Sequence, residues 1–163
     1  IYVYNRHAFF LVGALSIMSD SNTPKKYFHL AYISHPSESL TKKSLVELLV
    51  KAQQYNIQRE ISGILIIRDK SIFQLIEGDE VEVRDLYNKI EKDPRHQHPV
   101  TVYEGISSMR SIPFLGMGLT LDQSDDHLAD EHAFYFNREQ ALKFTALVTG
   151  KVKDLLLEYL DHA

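Results

Sequence analysis

The chain has 163 residues, 44% hydrophobic and 25% charged, enough for one domain with a substantial core and an appended segment. Its formal net charge of −4 and pI near 6.1 provide no basic stripe for nucleic acid. Cysteine is absent, which excludes disulfides, thiolate catalysis and cysteine-held zinc and suits a cytoplasmic setting.

In chain order, the apolar run Phe9 to Met18 comes first, about half the roughly 20 residues that span a bilayer, so no membrane partner is expected. Met18 precedes a polar leader ending at Pro24; residues 1–17 are read as upstream sequence, against a native strand or helix, and 1–24 as an N-terminal extension. Tyr27 to Ile33 alternates as a strand, broken by His35-Pro36-Ser37. Residues 42–55 place Leu45, Leu48, Leu49 and Ala52 at helical spacing behind Thr41 as N-cap. Ile61 to Arg68 and Ser71 to Glu77 form an antiparallel hairpin joined at Asp69-Lys70. Asp79 with Glu82 caps a second helix striped by Val83, Leu86, Tyr87 and Ile90 and ended at Asp93-Pro94. Val100 to Tyr103 and Leu115 to Leu121 are two further strands.

The order βαββαββ predicts an α+β, ferredoxin-like sandwich over residues 25–122, a mostly antiparallel five-stranded sheet with two helices on one face. Residues 123–163 add an acidic linker and a helical extension from Arg138 to Leu160, with Asn137 and Gln140 at its start. Its stripe is Ala141, Phe144, Val148, Val152, Leu155 and Tyr159, with a break or kink at Gly150. That stripe packs on its own sheet or forms a dimer contact.

Two polar residues interrupt apolar strands. Gln74 shares a strand face with Ile72 and Ile76, and Tyr32 shares one with Phe28 and Leu30. A buried amide without partners costs about 1–3 kcal/mol, so Gln74 needs a polar partner inside the fold. Asn56, at the end of the first helix, is either a C-terminal cap or a ligand contact. A Tyr hydroxyl with Gln and Asn amides under two apolar helices suits a planar heterocycle. Other candidates are weaker. His127 and His132 lie among acidic residues at no recognisable metal spacing and read as a solvated linker. Arg95-His96-Gln97-His98 is a phosphate cluster or a polar turn. Ser107, Ser108 and Ser111 have no base and no nucleophile elbow.

Tyr32-Ile33-Ser34, Asn56, Ile61-Ser62-Gly63-Ile64-Leu65, Phe73-Gln74-Leu75-Ile76-Glu77-Gly78, Ile90 through His96, and Leu115-Gly116-Met117 occur together in order. Over residues 27 to 121 the chain thereby resembles the BLUF domain, the flavin-binding blue-light sensor. The resemblance implies that Tyr32 donates an electron and a proton to the excited flavin and that Gln74 is the switch amide. It implies that Asn56 bonds the pyrimidine end of the ring and that Met117 exchanges contact with Gln74 on signalling. Ile90 would pack on the ring, Ser34 would belong to the contact set, and Arg95 and His96 would lie near the ribityl and phosphate part. FAD is the default cofactor, with FMN or riboflavin as alternatives. Leu115 stands where many members carry tryptophan, and Gln58 where several carry a basic residue. The resemblance implies a stand-alone sensor that is not itself an enzyme, expected to form a homo-oligomer and to signal to a downstream protein.

Two rival readings remain at this point. An acylphosphatase-like hydrolase needs an arginine in the loop after the first strand, where Ser34 to Glu38 has none. A ferredoxin-like RNA-binding module needs exposed strand aromatics, for which Phe73 and Tyr103 are candidates, and a basic surface that the chain lacks.

Overall fold

Apolar residues on both faces of three successive strands call for cover on both sides of a sheet, and the chain supplies it. The computed structural model describes residues 24–68, 70–112, 115–121, 135–136 and 138–161. The strands are Tyr27–Pro36 (β1), Ser62–Arg68 (β2), Ser71–Gly78 (β3), His96–Ser107 (β4), Gly116–Leu121 (β5) and Tyr135–Phe136 (β6). They lie in the order β4-β1-β3-β2-β5-β6. The first three neighbouring pairs are antiparallel and the last two are parallel.

Two helices, Lys42–Gln58 (α1) and Glu80–Glu91 (α2), cover one face. Thr41 caps α1 by accepting the Ser44 N–H, as its sequence predicts. Asp79 caps α2 through the Val81 and Glu82 N–H groups, but Glu82 does not reach back to close a capping box. Its carboxylate pairs with Arg59 at 3.1 Å instead. The first core joins Phe28, Leu30, Tyr32, Ile72 and Ile76 of the sheet to Leu45 and Leu49 of α1 and Val83 and Tyr87 of α2. Helix α1 rests on β5 and β2, and α2 on β1, β3 and β4, so a groove runs between them above the sheet centre.

The opposite face carries Ala31, Ile64, Ile66, Phe73 and Leu75, covered by Arg138–Thr145 (α3) and Gly150–Asp161 (α4). The C-terminal stripe therefore packs on its own sheet. The extension is two helices, and Gly150, at φ +66°, starts the second as its break signal predicts. Val148, Val152, Leu156 and Leu160 are fully buried, while the predicted Leu155 and Tyr159 are only half-buried. Strand β4 starts four residues earlier than read and runs to Ser107, because its edge pairs along β1 from Pro36 to Tyr27. Strand β6 falls within the segment read as linker. Asn137, His127 and His132 lie outside the described residues.

Phe73 is fully buried and stacks on Tyr159 with ring centroids 4.2 Å apart, and Tyr103 packs against the same core. Those aromatics are thus unavailable as a nucleic-acid stacking platform. Leu156→Ala should remove about 2–4 kcal/mol of stability by urea denaturation, whereas Val81→Ala, at a position 74% exposed, should change it by less than about 0.5 kcal/mol.

Candidate functional site

Antiparallel pairing of β1 with β3 sets Tyr32 opposite Gln74 on the helix-covered face. Tyr32 is fully buried, and its hydroxyl donates to Gln74 Oε1. Burial first, and then the charges of Tyr87 and Asp93, push the Tyr32 phenol well above its ordinary value. It therefore keeps its proton and acts as the donor. The other end of the Gln74 amide, Nε2, donates to Met117 Sδ at 3.7 Å. A thioether is a weak acceptor, so one end of this amide is firmly held and the other loosely. Tyr87 lies against Tyr32, ring centroids 5.2 Å apart, and accepts from Thr101 Oγ1 at 3.0 Å.

The groove between α1 and α2 is a cleft of about 240 Å³. That is slightly below the roughly 300–1,000 Å³ typical of small-molecule sites. Leu49, Ala52, Leu65, Leu86 and Ile90 form apolar walls, Gln74, Asn56, His96 and Met117 supply polar or polarisable groups, and Lys51, Tyr55 and Lys89 stand among its lining. Tyr55 and Lys89 are already engaged, both bonding Asp85.

Asn56 sits in the last turn of α1 and not beyond it, since the helix runs to Gln58 and Arg59 takes the cap position. Its backbone carbonyl accepts from Arg59 and Ile61, so the chain turn is made by the main chain and the side chain is not spent on capping. Nδ2 donates to the Gly116 carbonyl at 3.3 Å, while the buried Oδ1 has no partner. An orphaned buried acceptor costs on the order of 1–3 kcal/mol. In an apolar cleft it fits a ligand that brings a ring N–H, and beside a glutamine amide it fits the polar edge of a flavin.

His96 opens β4 and lines the cleft, with Nδ1 3.1 Å from Ser34 Oγ. Burial lowers its imidazole below the ordinary value. Ser34 itself stands behind His96, and Tyr32 stands behind Gln74, so both support residues that border the cleft. Arg95 does not border it. Its guanidinium forks onto Asp93, with Nε 2.8 Å from Oδ1, and this bond holds the Asp93 carboxyl below its usual range. The reading of Arg95-His96 as one phosphate cluster therefore divides, because Asp93 neutralises Arg95 locally while His96 enters the sheet.

Sequence reasoning missed Gln53. It is buried one turn before Asn56, and its Oε1 accepts from the Met117 N–H. It also missed a polar knot on the opposite face. His29 Nε2 meets Glu77 Oε2 at 2.7 Å, and the Glu77 carboxylate accepts the N–H groups of Ser111 and Ile112. Arg110 donates to Ser62 Oγ at 2.8 Å beside it. The register that pairs Tyr32 with Gln74 also pairs His29 with Glu77, and that was the available signal.

Comparison with known proteins agrees with this geometry. The family model described as BLUF, sensors of blue-light using FAD, matches residues 27–118. The blue light- and temperature-regulated antirepressor BluF of Escherichia coli K12 is 33% identical over 102 residues, covering 61% of this chain. The match spans only 25% of that relative's length. The solved structure of BlrP1 BLUF is 28% identical, with a TM-score of 0.62 over 83% of this chain and 88% of that one. Klebsiella pneumoniae BlrP1 with FMN and cyclic diGMP is 25% identical, with a TM-score of 0.65 over 83% of this chain and 34% of that one. With a family model matching more than half its length and a cleft that fits a flavin edge, this chain belongs to the BLUF family of flavin-based blue-light sensors.

Proposed function

We propose that the α1–α2 cleft holds FAD, with Asn56 and Gln74 as the polar partners of the ring and Ile90 and Leu65 as its apolar contacts. The observation that carries this reading is the partnerless Asn56 Oδ1 in the same cleft as an amide already bonded to Tyr32. The family description supports FAD, and the FMN named with the Klebsiella relative keeps a shorter flavin as the second reading. Lys51, exposed on the cleft lining, is the cation we assign to a phosphate tail in place of Arg95.

When bound, a flavin supplies blue-light absorption and, in its excited state, a strong demand for one electron. Tyr32 is the residue we assign to meet that demand, because its phenol is linked to the cleft through a single amide. Gln74 is the switch. While the Tyr32 hydroxyl donates, the amide must present Oε1 to it, leaving Nε2 to Met117. Were Tyr32 to pass its electron and then its phenolic proton to a bound flavin, its oxygen could only accept, and the reversed amide, with N–H2 facing that oxygen, would become the better match. The electron and proton would then return to Tyr32 with the amide still reversed. Two arrangements of one buried side chain thus differ by a few hydrogen bonds and no covalent bond, so the resting state returns unaided.

Strand β5, carrying Met117, reads the reversal, and α3 and α4 on the far face carry it outward in our reading. The domain over 25–122 is then the sensor and the C-terminal helices the output. The antirepressor in the name of the Escherichia coli relative supports a protein partner, and a homo-oligomer remains part of the proposal.

Purified protein supplied with FAD should be yellow and shift its absorption to the red reversibly under blue light. Tyr32→Phe should retain the pigment and lose the shift; a full photocycle in that variant would exclude Tyr32 as the donor. Asn56→Ala should weaken flavin binding about tenfold or more by fluorescence titration, and unchanged affinity would remove Asn56 from the ring contacts.

A further inference from the structure

Helix α1 reaches β5 through two amides one turn apart. Asn56 Nδ2 donates to the Gly116 carbonyl, and Gln53 Oε1 accepts from the Met117 N–H. That carbonyl and that N–H belong to the same peptide unit, so both of its polar groups are held by side chains of one helix. The next bond up the chain, from Gly116 N–H to the Ile61 carbonyl at 2.9 Å, ties the same point to the start of β2. Among the described residues, β6 pairs with β5 at Leu119 and Thr120 and does not take the Met117 N–H.

Two glycines make the arrangement possible. Gly116 has φ +107°, and a Cβ there would overlap the Gln53 amide. Gly63 lies opposite Met117 in the parallel β2–β5 ladder, and a Cβ there would come within 2.7 Å of Met117 Cε and 3.0 Å of Sδ. The Met117 side chain occupies that cleared space and from it reaches Gln74 Nε2. Where the Met117 backbone sits therefore decides whether its sulfur meets the amide.

We propose that Gln53 is a positioning residue for the light response: by holding the Met117 N–H it fixes the Gly116–Met117 peptide, and through it the contact between Met117 Sδ and Gln74. The inference rests on the flavin reading of the cleft. Asn56 belongs to both sites, since one end of its amide holds β5 and the other is the open acceptor in the cleft. A ligand engaging Oδ1 acts on the amide that grips the Gly116 carbonyl. Gln53 grips the other side of that peptide independently and sets how far β5 follows. The role acts entirely through Met117, because Gln53 does not border the cleft.

The test uses Gln53→Leu, which keeps side-chain bulk and removes the acceptor, and Gln53→Glu, which keeps an oxygen at the same reach. Hydrogen exchange at the Met117 amide is followed by NMR in flavin-free protein, and dark recovery after a blue flash in FAD-loaded protein. Gln53→Leu should exchange the Met117 amide about tenfold faster and change the recovery rate severalfold while retaining the pigment. Gln53→Glu should return both quantities to within about twofold of the wild type. Unchanged Met117 exchange in Gln53→Leu, or faster exchange with an unaltered recovery rate, would overturn the proposal. A wild-type protein that takes up no FAD would refute the flavin reading instead, and the exchange measurement would still decide whether the clamp exists.

Discussion

The hydrogen bond from Tyr32 to Gln74 is the constraint around which the rest is arranged. A primary amide has a donor end and an acceptor end of nearly the same shape, so its orientation is decided by its neighbours and not by packing. Here one neighbour is a buried phenol that keeps its proton, and the other is a thioether able to accept only weakly. The first fixes the amide and the second lets it go. In the proposed switch, loss of the phenolic donor reverses that preference, and β5 feels the change through Met117.

The two faces of the sheet divide the labour. On the helix side, α1 and α2 stand apart far enough to leave a cleft floored by Leu65, Gln74 and Met117. On the other side, Ile112 of the loop between β4 and β5 is buried with Ala141, Val148, Val152 and Leu156 of the C-terminal helices. Glu77 joins the halves. It lies on β3 three residues beyond Gln74 and binds the Ser111 and Ile112 N–H groups from the opposite face. Both edges of the Gln74 environment, β3 and β5, thus end on the loop and helices that cover the far side.

Much of this was legible in the sequence for simple reasons. Strict alternation put Tyr32 and Gln74 on faces shared with Phe28, Leu30, Ile72 and Ile76, and those faces proved to be one core. The order of elements gave both helices on one side. The C-terminal break was marked by Gly150, and Val152 beyond it is buried as expected. Leu156 and Leu160, one position past the expected Leu155 and Tyr159, are the more deeply buried pair, since adjacent positions of a helix stripe share its edge. Gln53 was invisible because its partner is a backbone N–H 64 positions away, and a lone glutamine on a helix carries no local signal. Arg95 was read as a phosphate contact because basic residues after a helix suggest one, and the structure pairs it with Asp93, two residues earlier. His29 and Glu77 could have been found by sliding β1 along β3 from the Tyr32–Gln74 pair.

The central claim is that Gln74 is the switching element, and substituting it tests the claim most directly. Light-minus-dark absorption of FAD-loaded Gln74→Leu should show bound flavin and no reversible red shift, since leucine fills the site but offers Tyr32 no acceptor. A Gln74→Leu protein that still cycled normally between its dark and illuminated spectra would contradict the account.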